Sequence, residues 1–252
     1  MRNNPVLHNL YKAYKYLVFF PLLGMSTTAL FVIVLTFLFV ASERFVQFAG
    51  IIWARFNSLV TPMFVRVIGE KNIDRSRSYV VVGNHQSQYD IFVVYGWLPI
   101  DFRWVMKVEL RKVPIIGYYC YKAGHIFIDR SISKSAIETI NAAKSKIKDG
   151  TSVFFFPEGT RSDTGKLIEF KKGAFKFAVD MGLPVLPVTI IGTRDILPDR
   201  SVDLVPGNAT LLIHPPIEID GYTEKNLGDL AERAKQVIQK GLDEHAGGMR
   251  HA

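Results

Sequence analysis

Cysteine is nearly absent from this chain, which has one, Cys120, among 252 residues. A single thiol excludes an intramolecular disulfide bond and a metal site built from several cysteines, and it fits a reducing compartment. Because Cys120 lies between Tyr119 and Tyr121, we expect it to belong to the core. Without disulfide bonds, the fold of the chain must be stabilised by packing, for which 48% hydrophobic residues are ample.

Acidic residues are also few, with 23 Asp and Glu against 31 Lys and Arg, so the formal net charge is +8. A basic surface attracts an anionic partner, and a nucleic acid, an anionic membrane face and a phosphorylated substrate all qualify. No base-stacking motif accompanies the basic residues, so we expect no nucleic acid. The membrane face and the phosphorylated substrate stay open.

Charge of either sign is missing between Tyr16 and Ser42. These residues, about 27 in number, would form a helix of about 40 Å, enough to cross a bilayer core of about 30 Å. A cleaved signal peptide is the alternative, but the run exceeds a normal signal-peptide core and no clean cleavage site precedes Glu43. We therefore expect a retained membrane segment, although Pro21 and Gly24 interrupt its first part.

Residues 43–61 form an amphipathic segment in which Arg44, Gln47, Arg55 and Ser58 share one side of a helix. This pattern predicts an interfacial helix, and a helix packed on the following domain is the alternative. Basic residues occur on both sides of the apolar run, so their positions do not fix its orientation. We favour a re-entrant two-helix anchor over a single crossing.

After Pro62, short apolar runs alternate with polar or amphipathic stretches, which is typical of an α/β domain. Predicted helices cover 133–148, 172–181 and 226–242, and another begins near Tyr89. The predicted organisation is a membrane anchor over 1–65, an enzyme domain over 66–245 and a flexible tail over 246–252. The predicted strands are 78–83, 102–106, 125–128, 152–156, 184–191 and 209–214.

A histidine and an aspartate, His85 and Asp90, follow the first of these predicted strands. A turn between them, or a helix that begins near Tyr89, would bring the two side chains together. Asp90 could then orient the imidazole, whose other nitrogen would accept a proton from a substrate hydroxyl. Taken alone, the pair could equally be a solvated or helix-capping His and Asp.

A second polar turn, 156–162, follows the strand predicted at 152–156 and contains Glu158, Gly159, Thr160 and Arg161. Gly159 allows close approach of the backbone, Arg161 offers a planar donor fork for phosphate, and Glu158 can orient Arg161 or a substrate hydroxyl. The ammonium groups of Lys171 and Lys172 follow near a predicted helix start. They could bind an anionic head group or simply be solvated.

Two further blocks lie between these motifs, one that begins at Lys107 and one that ends at Arg130, and the apolar block 185–189 completes the series. In this order, the motifs resemble the glycerolipid acyltransferase superfamily, most closely its bacterial 1-acyl-glycerol-3-phosphate acyltransferases. The resemblance covers about 78–191. It implies an α/β domain with a mostly parallel central sheet flanked by helices, preceded by an N-terminal two-helix membrane anchor.

The resemblance implies transfer of a fatty acyl group from acyl-CoA or acyl carrier protein to the 2-hydroxyl of lysophosphatidate, which gives phosphatidate at the membrane bilayer. His85 would be the general base and Asp90 its partner. The expected substrate-binding residues are Glu158, Gly159, Thr160, Arg161, Lys107, Arg130, Lys171 and Lys172. We expect no metal and no cofactor, because a thioester is already activated. Backbone N–H groups at the start of the helix after Asp90 are candidates to stabilise the oxyanion. The expected location is the inner membrane, with the enzyme domain facing the cytoplasm.

Three alternatives stay open at this stage. The acceptor could be another lysophospholipid or a lyso aminolipid, and the protein could be a lipid-binding membrane protein without activity. Ser87 or Cys120 as a covalent nucleophile is a rival mechanism, although neither has a nucleophile-elbow pattern. We expect His125 and His214 to be structural, because each lies in a strand-like run without an adjacent carboxylate.

Overall fold

The computed structural model describes residues 4–36, 42–128, 147 and 150–246. The helix predicted over 133–148, residue Arg130 and the tail after Ala246 lie outside the described residues, apart from Ile147. Within them the chain forms one seven-stranded sheet in the order β1-β7-β6-β2-β5-β3-β4. Only the β6–β7 pair is antiparallel among the described strands, so the sheet is mostly parallel, as predicted.

Six of the seven strands lie where the apolar runs predicted them, to within two residues. The strands are β1 (Met63–Ile68), β2 (Val80–Gly83), β3 (Phe102–Lys107), β4 (Ile126–Ile128), β5 (Ser152–Phe155), β6 (Val185–Ile191) and β7 (Gly207–Ile213). The sequence did not predict β1, an edge strand whose residues Phe64 and Arg66 are not buried. The boundary expected at 65 falls inside this strand, so the sheet begins before it.

Helices cover both faces of the sheet. One hydrophobic cluster joins the N-terminal helices and α4 (Tyr89–Trp97) to one face, and a second joins α6 (Gly173–Met181) and α8 (Leu227–Ala246) to the other. Two shorter helices are α5 (Ile116–Lys122) and α7 (Thr193–Ile196). The predicted starts at Tyr89, 172 and 226 agree with these bounds to within one residue.

The N-terminal segment is a helical hairpin. Its first arm is α1 (Pro5–Tyr14), one π-helical stretch over Lys15–Phe19 and α2 (Phe20–Thr36); its second arm is α3 (Glu43–Val60). Pro5–Ile33 is the one stretch of the described residues that is long and apolar enough to cross a membrane. The Tyr11 hydroxyl donates to the Thr61 carbonyl at 3.0 Å, and the Trp53 indole donates to Thr27 Oγ1 at 3.1 Å, so the arms are antiparallel.

Helix α3 is amphipathic, and its predicted polar side is divided, because its two arginines are exposed whereas its two neutral residues face the protein. Gln47 and Ser58 are buried, and Gln47 Nε2 donates to the Ala123 carbonyl at 2.9 Å. The Tyr119 hydroxyl donates to the Val46 carbonyl at 2.9 Å. The opposite side exposes large apolar residues. They are Phe45, Phe48, Ile52, Phe56 and Leu59.

Candidate active site

The first motif begins directly after β2, and Asn84 is the first residue beyond the strand. Its side-chain amide donates to the Ile190 carbonyl at 2.8 Å, and its side-chain oxygen accepts from the Ile190 N–H at 2.7 Å. This pair of bonds ties the loop to β6. These bonds therefore fix the backbone next to His85, at the carboxyl ends of the parallel strands.

His85 and Asp90 are in hydrogen-bond contact, with 2.8 Å between Nδ1 and Oδ2. The Asp90 side chain is fully buried, whereas that of His85 is 16% exposed. Because an ionised carboxylate only accepts, the contact places the proton on Nδ1 and leaves Nε2 as the acceptor nitrogen. The contact expected from the sequence is present.

Helix α4 begins between the two residues, and its first turn is organised around the Asp90 carboxylate. The N–H groups of Gln86 and Ser87 donate to Oδ2 at 2.7 and 2.9 Å. The N–H of Tyr89 donates to the Ser87 hydroxyl at 3.1 Å. These three donors are therefore satisfied within the protein, and the identity of the N–H groups that would stabilise an oxyanion stays a prediction.

The second motif lies directly against the first. The Ser162 N–H donates to the His85 carbonyl at 2.8 Å, and the His85 ring stacks on Phe156 with 3.8 Å between ring centroids. Glu158 is 2% exposed, and its two oxygens accept the N–H groups of His85 and Ile168 at 2.6 and 2.9 Å. Burial raises the pKa of Glu158, and the two backbone donors oppose that rise.

Arg161 pairs with an acid that sequence reasoning did not single out. Its Nε lies 2.8 Å from Oδ1 of Asp199, whose side chain is 5% exposed. Glu158, one of the partners that the sequence offered for Arg161, instead accepts backbone N–H groups with both oxygens. Gly159 has φ of 75°, a left-handed conformation that a side chain would strain, and Thr160 is exposed at the outer edge of the turn.

The comparisons with known proteins identify the family of this chain. The family model described as Acyltransferase matches residues 64–191, half of the chain. The chain belongs to the Acyltransferase family. The matched segment runs from β1 to the end of β6 and contains both motifs.

Curated relatives include a 1-acyl-sn-glycerol-3-phosphate acyltransferase of Chlamydomonas reinhardtii, 33% identical over 71% of this chain and 53% of that protein. The human 1-acyl-sn-glycerol-3-phosphate acyltransferase alpha is 33% identical over 69% of this chain and 62% of its own length. The chain thus spans about half to three fifths of the curated relatives that it matches.

A solved structure extends the similarity to nearly the whole chain. The crystal structure of the 1-acyl-sn-glycerophosphate acyltransferase PlsC from Thermotoga maritima matches with a TM-score of 0.70 and 29% identity. The match covers 94% of this chain and 93% of that one, so it includes the N-terminal helices as well as the Acyltransferase domain.

The three remaining lysine candidates lie at the surface of the Acyltransferase domain. Lys107 ends β3 and is exposed, and Lys171 and Lys172 are exposed immediately before α6. The Lys171 N–H donates to the Pro157 carbonyl at 2.9 Å, which ties this lysine's backbone to the second motif. Their contact with a substrate stays a prediction. Among the described residues, no cluster of His, Cys, Asp and Glu could hold a metal ion.

The two candidate nucleophiles are held within the core. The Ser87 hydroxyl is fully buried and donates to the Leu197 carbonyl at 2.7 Å. Burial raises the pKa of the Cys120 thiol to about 12, so at neutral pH it is not a thiolate. Neither side chain is placed for nucleophilic attack.

His125 and His214 have structural contacts. His125 Nδ1 accepts the Trp104 N–H at 3.3 Å, and burial lowers the pKa of His125 to about 3. His214 Nε2 lies 2.7 Å from the Thr189 hydroxyl, and burial lowers its pKa to about 4. Both rings are therefore neutral at pH 7.

Proposed function

We propose that the protein transfers a fatty acyl group from a thioester to the 2-hydroxyl of 1-acyl-glycerol-3-phosphate, forming phosphatidate. The observation that carries this proposal is the 2.8 Å contact between His85 Nδ1 and Asp90 Oδ2. It leaves Nε2 as the proton acceptor of a partly exposed imidazole. The named relatives support the choice of acceptor.

In the proposed reaction, His85 Nε2 takes the hydroxyl proton as the acceptor oxygen attacks the thioester carbonyl carbon. The new ester C–O bond forms, the C–S bond breaks, and the departing thiolate takes the proton from the imidazolium. Asp90 stabilises the imidazolium while it carries that proton. A positioned base contributes about 100- to 10,000-fold to such a step.

Acceptor recognition is proposed for the turn that bears Gly159, Thr160 and Arg161. A guanidinium matches the geometry of a phosphate, and the Ser162–His85 backbone bond fixes this turn beside the base. Glu158 supports the turn from inside through its two backbone bonds rather than by contact with lipid. The cations Lys107, Arg130, Lys171 and Lys172 are proposed to attract the anionic substrates.

The N-terminal hairpin is proposed as a re-entrant membrane anchor that ends before β1, with the enzyme domain running from β1 to about residue 245 and the tail beyond it. Support comes from the antiparallel arms and from the exposed apolar side of α3, where Phe48 and Leu59 are 60% and 69% exposed. Such an anchor would keep the enzyme on one face of the bilayer, which we propose is the cytoplasmic face of the inner membrane.

A vesicle-binding measurement tests the anchor. Phe48→Asp and Leu59→Asp should each weaken binding to vesicles that contain anionic lipid, because a charge must then enter the apolar region. Gln236→Asp, on the exposed side of α8, adds the same charge on the opposite face of the sheet and should leave binding unchanged. Equal binding by all three variants would contradict the proposed anchor.

An acyl-transfer assay tests the function. The purified protein in vesicles is given acyl-CoA or acyl carrier protein as donor, with lysophosphatidate, lysophosphatidylcholine, lysophosphatidylethanolamine or lyso-ornithine lipid as acceptor. We expect lysophosphatidate to be acylated fastest, and the two donor arms decide which thioester is used. Acylation of a different acceptor only would contradict the proposed substrate, and no acylation at all would support the non-catalytic alternative.

A further inference from the structure

The Asp90 carboxylate has a fourth hydrogen bond that comes from a distant part of the chain. Thr193 Oγ1 donates to Asp90 Oδ1 at 2.5 Å, and both residues are fully buried. We propose that Thr193 is a positioning residue of the proton-transfer pair, which acts on His85 through Asp90. This inference rests on the proposed function of His85 as the base.

The two oxygens of Asp90 are supported from different sides. Oδ2 accepts from the His85 ring and from the N–H groups of Gln86 and Ser87, all within six residues of sequence. Oδ1 accepts from Thr193, its one hydrogen-bond donor among the described residues. A buried carboxylate needs such partners, and a short bond from a hydroxyl to a carboxylate is of the charge-assisted kind.

Thr193 is itself held in place. It follows Gly192, the residue after β6, whose φ is 87°, and its carbonyl accepts the Leu197 N–H at 2.9 Å. Strand β6 lies beside β2 in the sheet, and Asn84 joins their ends through its two bonds to Ile190. The hydroxyl therefore reaches Asp90 from a rigid backbone.

The geometry gives Thr193 two effects on the pair. It fixes the rotation of the carboxylate, so that Oδ2 stays in line with His85 Nδ1. It also disperses negative charge on Asp90 by donating a proton to the oxygen that His85 does not touch. Without this donor, the negative charge on Asp90 would stabilise the protonated His85–Asp90 pair more strongly. A higher pH would then be needed before His85 could accept a proton from substrate.

The test compares Thr193→Val, which keeps the shape and removes the hydroxyl, with Thr193→Ser, which keeps the hydroxyl. Thr193→Val should lower kcat by about 10- to 100-fold, as expected when a hydrogen bond that orients a catalytic side chain is lost. KM for lysophosphatidate should change little. The acidic limb of the kcat profile should move to higher pH, and Thr193→Ser should restore both the rate and the limb.

Thr61→Val is the matched control. The Thr61 hydroxyl is also fully buried and lies 2.7 Å from the hydroxyl of Tyr89, the neighbour of Asp90 on α4, but it does not contact the carboxylate. This variant should lose stability to heat while kcat and the pH profile stay near those of the wild type. If Thr193→Val behaves in the same way as Thr61→Val, the bond is only structural and the inference is wrong.

A readout without turnover separates this inference from the proposed function. The proton between His85 and Asp90 should give a downfield NMR signal, which Thr193→Val should shift and Thr193→Ser should preserve. Where the valine variant does not fold, Thr193→Ala takes its place. An unshifted signal overturns the role of Thr193, whereas wild-type protein that does not acylate lysophosphatidate overturns the proposed function instead.

Discussion

Glu158→Gln is the substitution that best separates support of the active site from contact with substrate. Both Glu158 oxygens accept backbone N–H groups, at 2.6 Å from His85 and 2.9 Å from Ile168, and the residue is 2% exposed. A glutamine has one oxygen and one NH₂ group at these positions. Whichever way the amide turns, one backbone donor faces another donor.

The magnitude follows from the bonds that are lost. Removing one charge-assisted hydrogen bond and leaving a buried N–H unpaired costs about 2–4 kcal/mol. One of the two N–H groups belongs to His85, so the position of the proposed base should also change. We therefore expect a lower free energy of unfolding and a lower kcat, with little change in KM for lysophosphatidate.

Chemical denaturation and acyl-transfer kinetics on the same preparations check this expectation. Glu169→Gln is the control, because the Glu169 side chain is 78% exposed and pairs with Lys235 at the surface, at 2.6 Å. It should change neither quantity appreciably. A Glu158→Gln variant of wild-type stability and kcat but raised KM would refute the reasoning and return Glu158 to direct contact with the acceptor.

Three further outcomes are expected. Arg161→Ala should raise KM for lysophosphatidate by about 10- to 100-fold through the loss of a charged hydrogen-bond donor, whereas Arg200→Ala, at a side chain that is 82% exposed, should not. Equal effects of the two substitutions in steady-state kinetics would contradict the proposed contact of Arg161 with the acceptor phosphate. Asp90→Asn should lower kcat by about 100-fold or more, since the imidazolium loses its counter-charge, and an unchanged kcat would argue against the pair. Because the folded-state pKa of His125 is about 3, against 6.5 for the free side chain, unfolding takes up protons as the pH falls below 6.5. His125 alone should lower the free energy of unfolding by about 2 kcal/mol between pH 7 and pH 5, and His214 should add a drop of its own. His125→Asn should therefore reduce the slope of stability against pH, and an unchanged slope would show that His125 does not contribute.

Much of the sheet could be predicted from the chain because its central strands are continuous apolar runs that are buried on both sides. Strand β1 was missed for the opposite reason. It is an edge strand in which Phe64 and Arg66 are exposed, so its residues do not form a continuous apolar run. The amphipathic pattern of α3 was also visible, but a pattern of polarity does not say which side meets the protein.

The contact between His85 and Asp90 was predictable because five residues across a strand, turn and helix start allow little choice of geometry. The partners of the site were not. Thr193 lies 103 residues from Asp90, and Asp199 lies 38 residues from Arg161. Such pairs are set by the order of strands in the sheet, which places the end of β6 beside the end of β2.

The central claim, that His85 is the base for acyl transfer to lysophosphatidate, is tested most directly by the single-turnover rate of His85→Ala in vesicles. Substrate saturation and the thermal unfolding midpoint should be compared with wild type, so that loss of binding or fold is separated from loss of chemistry. The account predicts a folded variant whose transfer rate falls by about 100- to 10,000-fold. A rate within a few fold of wild type would contradict it.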